Sequence, residues 1–229
     1  MSASIRTAIV GRDGRLGAAA AQWIRSSSEL ELVASIGPTD DWKSLEDAEV
    51  VLEVTRAGLG HSHGMRLLEM GIRPVIGTSG ISEVQIQELN EHSLERGLGG
   101  IVVPNFSLGM LAMRRALEAS FSFFKSRTLT EAHRAGKADA PSGTAKALCA
   151  LLGTSDEDVT SVRIDGLTAA HEVRLEGEAD LLSLRHVSLG MESFREGLLA
   201  SMRYASKAEG IGSGLELVLA EACKLPPGS

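Results

Sequence analysis

Short apolar runs separated by amphipathic stretches organise the first half of the chain. Ile5–Val10, Leu30–Ile36, Val50–Val54, Arg73–Ile76 and Ile101–Val103 are too short for helices and rich in branched aliphatic side chains, which predicts five strands. Between them, AAAAQWIRSS, Gly58–Met70 and Ser82–Arg96 carry helical patterns, the last opened by Ser82 as an N-cap with acids in its first turns. Strand and helix in alternation predict a parallel sheet covered by helices. After a long helix from Leu108 to about Phe124 the pattern changes. Thr128–His133 is a strand, Ser142–Leu152 a helix, and SVRIDG, AAHEVRLEG and DLLSLRHVS alternate with period two between Gly-containing turns. That alternation predicts a mixed or antiparallel sheet with an open apolar face. Glu192–Ala208 and Gly214–Lys224 predict two closing helices.

Composition narrows the class. The chain has 229 residues, 43% hydrophobic and 23% charged, the balance of a globular protein of one large or two small domains. No apolar run is long enough to span a bilayer, and the N-terminus lacks the ordered regions of a secretory signal, which implies a cytoplasmic location. A net charge of −7 with no run of Lys or Arg argues against a nucleic-acid partner and leaves room for a small acidic substrate. Cys149 and Cys223 lie in apolar helical runs without ligand-like spacing and read as core residues. His61 and His63, two apart on a helix, point their rings away from each other and read as surface or capping residues. His171 and His186 read as sheet or interface residues, and no metal is expected.

The first strand runs into Gly11-Arg12-Asp13-Gly14-Arg15-Leu16-Gly17 and then a helix, the strand, glycine turn and helix of a Rossmann-type dinucleotide site. Backbone amides of the turn and the helix N-terminus are placed to hold a pyrophosphate. The second strand ends at Gly37-Pro38-Thr39, with the nearest acids, Asp40 and Asp41, further along. Without a carboxylate at the strand end, NADPH is expected to be accepted at least comparably with NADH, with Arg12 or Lys43 approaching the 2′-phosphate. Gly77-Thr78-Ser79-Gly80 closes the fourth strand and permits close approach of a planar ring.

The densest chemistry lies in Glu131–Thr144, EAHRAGKADAPSGT. His133 can give or take a proton near neutral pH, and Lys137 is a cation unless buried. Ala140-Pro141 favours an extended approach to a helix that starts at Ser142-Gly143-Thr144. Such a start leaves backbone N–H groups free and turns two hydroxyls outward, which makes an anion site. Taken singly, these residues describe a solvated loop and an ordinary N-cap. Their conjunction points to acid–base chemistry on an anionic substrate.

The same segment resembles the signature of the dihydrodipicolinate reductase family, Glu-Ala-His-His, then Lys, then Asp-Ala-Pro-Ser-Gly-Thr-Ala. It departs at Arg134, where the family has a second His. The resemblance runs in order along nearly the whole chain. It takes in the glycine turn, with Leu16 where Met is common, and Thr55 in a Phe-Thr-x-Pro loop, with Ala57 for the proline. It continues through Gly77-Thr78-Ser79, the Asn105-Phe106-Ser107 hinge, and Ser193-Phe194 with Gly197.

The resemblance implies an α/β protein: a Rossmann-type parallel sheet domain, 1–104 completed by 207–229, plus a smaller α+β domain with an open mixed sheet, 105–206, for substrate binding and oligomerisation. It implies NADPH- or NADH-dependent reduction of 4-hydroxy-tetrahydrodipicolinate, a small dicarboxylate, in lysine and diaminopimelate biosynthesis. His133 and Lys137 are then catalytic, and Arg134, Ser142, Gly143 and Thr144 hold the substrate. Gly11, Arg12, Gly14, Arg15, Leu16, Gly17, Thr55, Gly77, Thr78, Ser79, Asn105 and Phe106 hold the cofactor. A homotetramer through the second domain's sheet is also implied. Two alternatives stand beside this. Another small Rossmann amino-acid dehydrogenase would share the glycine turn but has no reason to carry the central motif. A non-catalytic nucleotide-sensing relative is favoured only by Arg134 and a shortened connection after the second strand.

Overall fold

The structure, a computed structural model, describes residues 4–220. The chain divides into two units, one formed up to Phe106 and again from Arg195 onward, the other by Ser107–Phe194.

In the first unit the order is β1 (Ile5–Val10), α1 (Arg15–Arg25), β2 (Leu30–Ile36), β3 (Val50–Glu53), α2 (Gly60–Glu69), β4 (Arg73–Ile76), α3 (Glu83–Glu95) and β5 (Gly99–Val102). α6 (Arg195–Ala205), β10 (Gly210–Ser213) and α7 (Leu215–Val218) return to it. All six strands are parallel, in the order β10-β5-β4-β3-β1-β2. The apolar runs read as strands are therefore covered on both faces, and Ile9, Val50, Val51, Leu52, Val75 and Ile76 are wholly buried. Burial of each such side chain contributes about 1.5–3 kcal/mol. Ser82 caps α3 with a reciprocal Gln85 bond.

β10 departs from the pattern-based expectation. Gly-Ile-Gly-Ser shows no strand-like alternation, yet it pairs with Gly99–Val102. A Cβ at Gly99 would overlap the Ala208 carbonyl, so glycine is what lets the chain come this close. The expected helix at Glu192–Ala208 is a single 3-10 turn at Met191–Phe194 followed by α6. Of the helix expected at Gly214–Lys224, only Leu215–Val218 is formed up to Ala220; the remainder, with Cys223, lies outside the described residues.

The second unit holds α4 (Leu108–Ser120), β6 (Ser126–His133), α5 (Gly143–Leu152), β7 (Thr160–Arg163), β8 (Ala169–Glu176) and β9 (Leu181–Ser188). Its sheet has the order β7-β6-β8-β9, parallel between β6 and β7 and antiparallel elsewhere. Met110, Met113 and Leu117 of α4 and Leu148, Cys149 and Leu152 of α5 pack on Leu129, Val173 and Leu175. The expected open apolar face is thus covered by the unit's own helices.

Period two places Glu131 and His133 on the same face of β6 as Leu129. Register sets Glu131 opposite Ser161 on one side and His171 on the other, with His171 opposite His186. A row of polar side chains therefore crosses the covered face beyond the apolar core. Among the described residues no helix is long and apolar enough to cross a membrane.

Candidate active site

The glycine turn shows why its spacing is needed. Gly11 has φ 109°, and a Cβ there would lie 2.7 Å from the Val54 carbonyl oxygen. Its N–H and that of Arg12 donate to Ile36 O at 2.9 and 3.1 Å, and Gly14 N–H closes the turn on Gly11 O at 3.1 Å. A Cβ on Gly17 would overlap the Gly11 carbonyl, so α1 packs directly on the turn. Gly14 caps α1 without a side chain, which leaves the amides of the first helical turn for an anion. Beside the turn lies a cavity of about 410 Å³ at the ends of β1, β2 and β3, lined in part by Gly11, Gly14, Gly37, Thr55, Arg56 and His63. The cradle and cavity fit a dinucleotide.

Gly11, Gly14 and Thr55 thus stand where the cofactor reading needs them, whereas Arg12, Arg15, Leu16 and Gly17 do not line the cavity. Thr78 is buried and Ser79 exposed. Phe106 is a core residue whose ring would lie 2.7 Å from a Cβ on Gly77; together with Asn105 it stands outside the cavity lining.

Two features alter the picture drawn from the sequence. Arg12 is engaged by Asp40 at 2.8 Å, by Asp13 at 3.4 Å and by the Ser35 carbonyl at 3.0 Å. Asp40 folds back so that its carboxylate also accepts the Gly37 N–H at 2.8 Å. The end of β2 therefore carries an acid after all, supplied from three residues beyond Gly37 by an Asx-type turn. The second feature is Glu53, wholly buried at the end of β3. It accepts the Thr55 N–H at 3.3 Å, the Thr55 hydroxyl, and a contact from His63 Nδ1 at 3.1 Å. Burial opposes its ionisation, but the His63 and Thr55 hydrogen bonds outweigh it and hold the carboxyl below its ordinary value. His61 turns away to Glu88 at 2.9 Å, so the rings diverge as i, i+2 spacing requires. His63, however, is a cavity residue packed 5.0 Å from the Trp42 ring rather than a surface one.

In the second unit, β6 delivers His133, 7% exposed, into a buried cluster. His133 Nδ1 lies 3.5 Å from Glu131 Oε2, and His171 Nε2 lies 3.8 Å from the same oxygen. Burial lowers the His133 pKa; Glu131 raises it, Lys137 and Arg163 lower it further, and the net is downward. Lys137 Nζ donates to both oxygens of Asp139 at 2.8 and 2.9 Å, and this bond is the first cause of a lowered Asp139 pKa.

Ser142 caps α5 by accepting Ala145 N–H at 3.1 Å. Its own N–H donates to both Glu131 oxygens at 3.0 and 3.1 Å. The Ser142 hydroxyl is therefore buried and turned inward, contrary to the outward position expected of it, because the helix start is tied to the sheet. Gly143 is exposed and Thr144 half-buried. The Ala140-Pro141 bond is cis. Arg134 is exposed and forms no ion pair among the described residues.

The sequence pattern had no means of finding Arg163, Ser161 or His171. Arg163 donates to the carbonyls of Lys137 at 3.2 Å and Asp139 at 2.6 Å, bracing the loop that carries the motif. Ser161 donates to Glu131 at 2.8 Å. The only advance signal was strand alternation, which put Ser161 and His171 on the same face as their neighbours. Glu131, His133 and His171 have candidate ligand atoms within 4.8 Å of one another. Glu131 already accepts two serines and has the Arg163 guanidinium 3.8 Å away, so the protein itself balances the charge a cation would meet.

A glycine-cradled turn on a parallel sheet, with an acid–base and anion-holding cluster on a mixed sheet, defines a nucleotide-dependent α/β oxidoreductase. Family models described as dihydrodipicolinate reductase, N-terminus, and dihydrodipicolinate reductase, C-terminus, match residues 5–106 and 109–219. The chain belongs to the dihydrodipicolinate reductase family. It is 32% identical to a 4-hydroxy-tetrahydrodipicolinate reductase of Streptococcus mutans, over 94% of this chain and 100% of the relative. A Bacillus licheniformis protein of the same name is 29% identical over 94% and 98%. A dipicolinate-bound dihydrodipicolinate reductase structure from Paenisporosarcina superposes with a TM-score of 0.82 at 27% identity, covering 95% of this chain and 100% of that one. An aspartate dehydrogenase from Thermotoga maritima, 11% identical with a TM-score of 0.53 over 88% and 96%, shares the fold alone.

Proposed function

We propose that this chain catalyses the NAD(P)H-dependent reduction of 4-hydroxy-tetrahydrodipicolinate to tetrahydrodipicolinate in lysine and diaminopimelate biosynthesis. The observation that carries the reading is the folding of EAHRAGKADAPSGT into one cluster, with a buried imidazole, two cations and a helix start, in a chain that matches this family throughout. The first unit binds the nucleotide and the second the substrate.

When bound, the reduced nicotinamide supplies the hydride. The glycine turn and the open amides of α1 hold the pyrophosphate, and Glu53 fixes the Thr55 loop beside it. In the second unit, Lys137, Arg134 and the exposed start of α5 at Gly143 and Thr144 receive the two substrate carboxylates. Lys137 exchanges Asp139 for a substrate oxygen. Hydride addition to one carbon of a conjugated ring leaves negative charge on its partner, and His133 donates the proton that quenches it. His133 holds a proton weakly when burial and the surrounding cations act alone; an incoming dianion offsets those cations and raises its proton affinity. Ser142, buried, positions the helix start rather than meeting the substrate.

We assign a tetramer built on the second unit's sheet and a cytoplasmic location on the family resemblance. For the nucleotide, Asp40 at the end of β2 favours the free ribose of NADH. A spectrophotometric assay of NADH and NADPH oxidation with freshly prepared 4-hydroxy-tetrahydrodipicolinate tests the reading: turnover is expected, and its absence with correctly folded protein and bound nucleotide would leave the nucleotide-sensing alternative.

A further inference from the structure

We propose that Glu131 is a positioning residue for His133: it takes the Nδ1–H of that ring, fixes the tautomer, and leaves Nε2 as the nitrogen that exchanges protons with substrate. This rests on the reading of His133 as the proton donor, and three observations support it. Glu131 is wholly buried, and its Oε2 lies 3.5 Å from His133 Nδ1, a nitrogen that is itself buried and has no other hydrogen-bond partner. The ring keeps 9% exposure, which falls on the remainder of the ring carrying Nε2. Contacts of this length between catalytic groups shorten when substrate closes the site.

The carboxylate is also held too firmly to drift. It accepts the Ser142 N–H on both oxygens and the Ser161 hydroxyl at 2.8 Å, with Arg163 at 3.8 Å. These fixings come from a helix start and a neighbouring strand, so the position of Glu131 is set independently of His133. His171 closes the other side. Its ring stands edge to face with His133 at 5.2 Å, and its Nε2 meets Ser142 Oγ at 3.4 Å. Burial depresses the His171 pKa to about 4, so it is a neutral wall rather than a competing proton source near neutral pH.

The groups facing His133 are thus Glu131 on its own strand, Arg163 on β7, His171 on β8, and Lys137 and Asp139 on the loop that follows. His186 faces His171 from β9. Of the two carboxylates, only Glu131 is buried and aimed at the Nδ1 edge. A neutral imidazole beside it is stabilised as the Nδ1–H tautomer, and the protonated ring is favoured relative to a site without the charge.

Two measurements test this. In wild-type protein labelled with ¹⁵N-histidine, the resonances lost in His133→Gln identify the ring, and its nitrogen shifts are expected to report the Nδ1–H tautomer. An Nε2–H tautomer overturns the proposal without any need for a Glu131 variant to fold. In Glu131→Gln, kcat is expected to fall at least ~10-fold, a fraction of the range for a general acid. The limb that falls as His133 loses its proton should move to lower pH, because the charge favouring the proton is gone. Glu131→Asp should restore the limb in part, and nucleotide binding should be unchanged in both. A folded Glu131→Gln protein with an unmoved limb removes Glu131 from the mechanism. Normal turnover by His133→Gln would instead remove the donor reading, an outcome distinct from either result on Glu131.

Discussion

Each unit buries one glutamate at the end of a strand and sets it against a histidine. Glu53 ends β3 with His63 Nδ1 at 3.1 Å, and Glu131 lies near the end of β6 with His133 Nδ1 at 3.5 Å. In both, hydrogen bonds overcome burial and hold the carboxyl below its ordinary value of 4.5. The difference lies in what they grip. Glu53 gathers its own neighbourhood, Thr55 two residues on and His63 ten residues on. Glu131 gathers Ser142, Ser161 and His171 from a helix start and two other strands. The first arrangement secures a loop for a ligand. The second assembles a reactive group from parts far apart in the chain, and the same physical device serves two ends because its partners differ.

The sharpest way to separate the two is to remove each one's histidine function in turn. His133→Gln is expected to lower kcat by ~10²-fold or more, the scale of general acid catalysis, while nucleotide affinity stays near normal. His63→Gln should do the opposite, raising the KM for nucleotide with little effect on saturated turnover. Fluorescence titration with NADH beside steady-state kinetics reads both. Near-normal turnover in His133→Gln would break the comparison at its functional end.

Acid stability separates them next. His171, 3% exposed, has a pKa near 4 against 6.5 unfolded. The unfolded chain therefore takes up a proton first, and stability present above pH 6.5 is lost as pH falls toward 4. The shift corresponds to about 3 kcal/mol as an order of magnitude. Glu53 and Glu131, with depressed values, contribute stability that is present above 4.5 and lost only below it. The second unit should thus weaken from pH 6.5 downward while the first holds. Denaturant melts of wild type and His171→Gln between pH 7 and 4.5 check this; parallel pH dependence in the two proteins would count against it.

What the chain disclosed on reading follows the same division. Five of the six strands of the first unit, the glycine turn and the central motif are local patterns of a few residues, and local patterns survive translation into structure. β10 does not show itself, since Gly-Ile-Gly-Ser is a strand only because Gly99–Val102 lies beside it. Arg163, Ser161 and His171 belong to the site by register across three strands, which no spacing along the chain reveals. Ser142 was found but misdirected: its N-cap role was plain, whereas its inward turn depends on Glu131 eleven residues earlier.

Arg134 sharpens the comparison on the substrate side. Its guanidinium is exposed and unpaired, and Glu131 is served by Arg163 instead, so Arg134 is available to a ligand without first breaking a contact. Arginine stays charged where a histidine would lose its proton, and it meets a carboxylate with two parallel bonds. Arg134→Ala should lower kcat/KM by ~10- to 100-fold, the worth of a charge-assisted contact. Substrate KM in wild type should not rise through the neutral range on this residue's account. Unchanged kinetics in the variant would mean that the side chain serves solvent alone.

The smallest effect concerns the nucleotide, and it comes from the least legible contact of the first unit. With no acid directly after Ile36, NADPH is expected to match NADH; the fold redirects that expectation by bringing Asp40 back to the Gly37 N–H and clasping Arg12. A 2′-phosphate would meet a carboxylate there, and the nearest cation is already engaged. The clasp is partly solvent-exposed, at 47% for Arg12 and 32% for Asp40, so screening keeps its influence modest. Asp40→Ala removes the repulsion and frees Arg12 to reach a phosphate. The ratio of kcat/KM for NADPH to that for NADH should rise by ~10-fold, about 1.4 kcal/mol of discrimination. A wild-type enzyme that already prefers NADPH, or a ratio unmoved by the substitution, would show that the ribose is read elsewhere and that Asp40 does no more than close its turn.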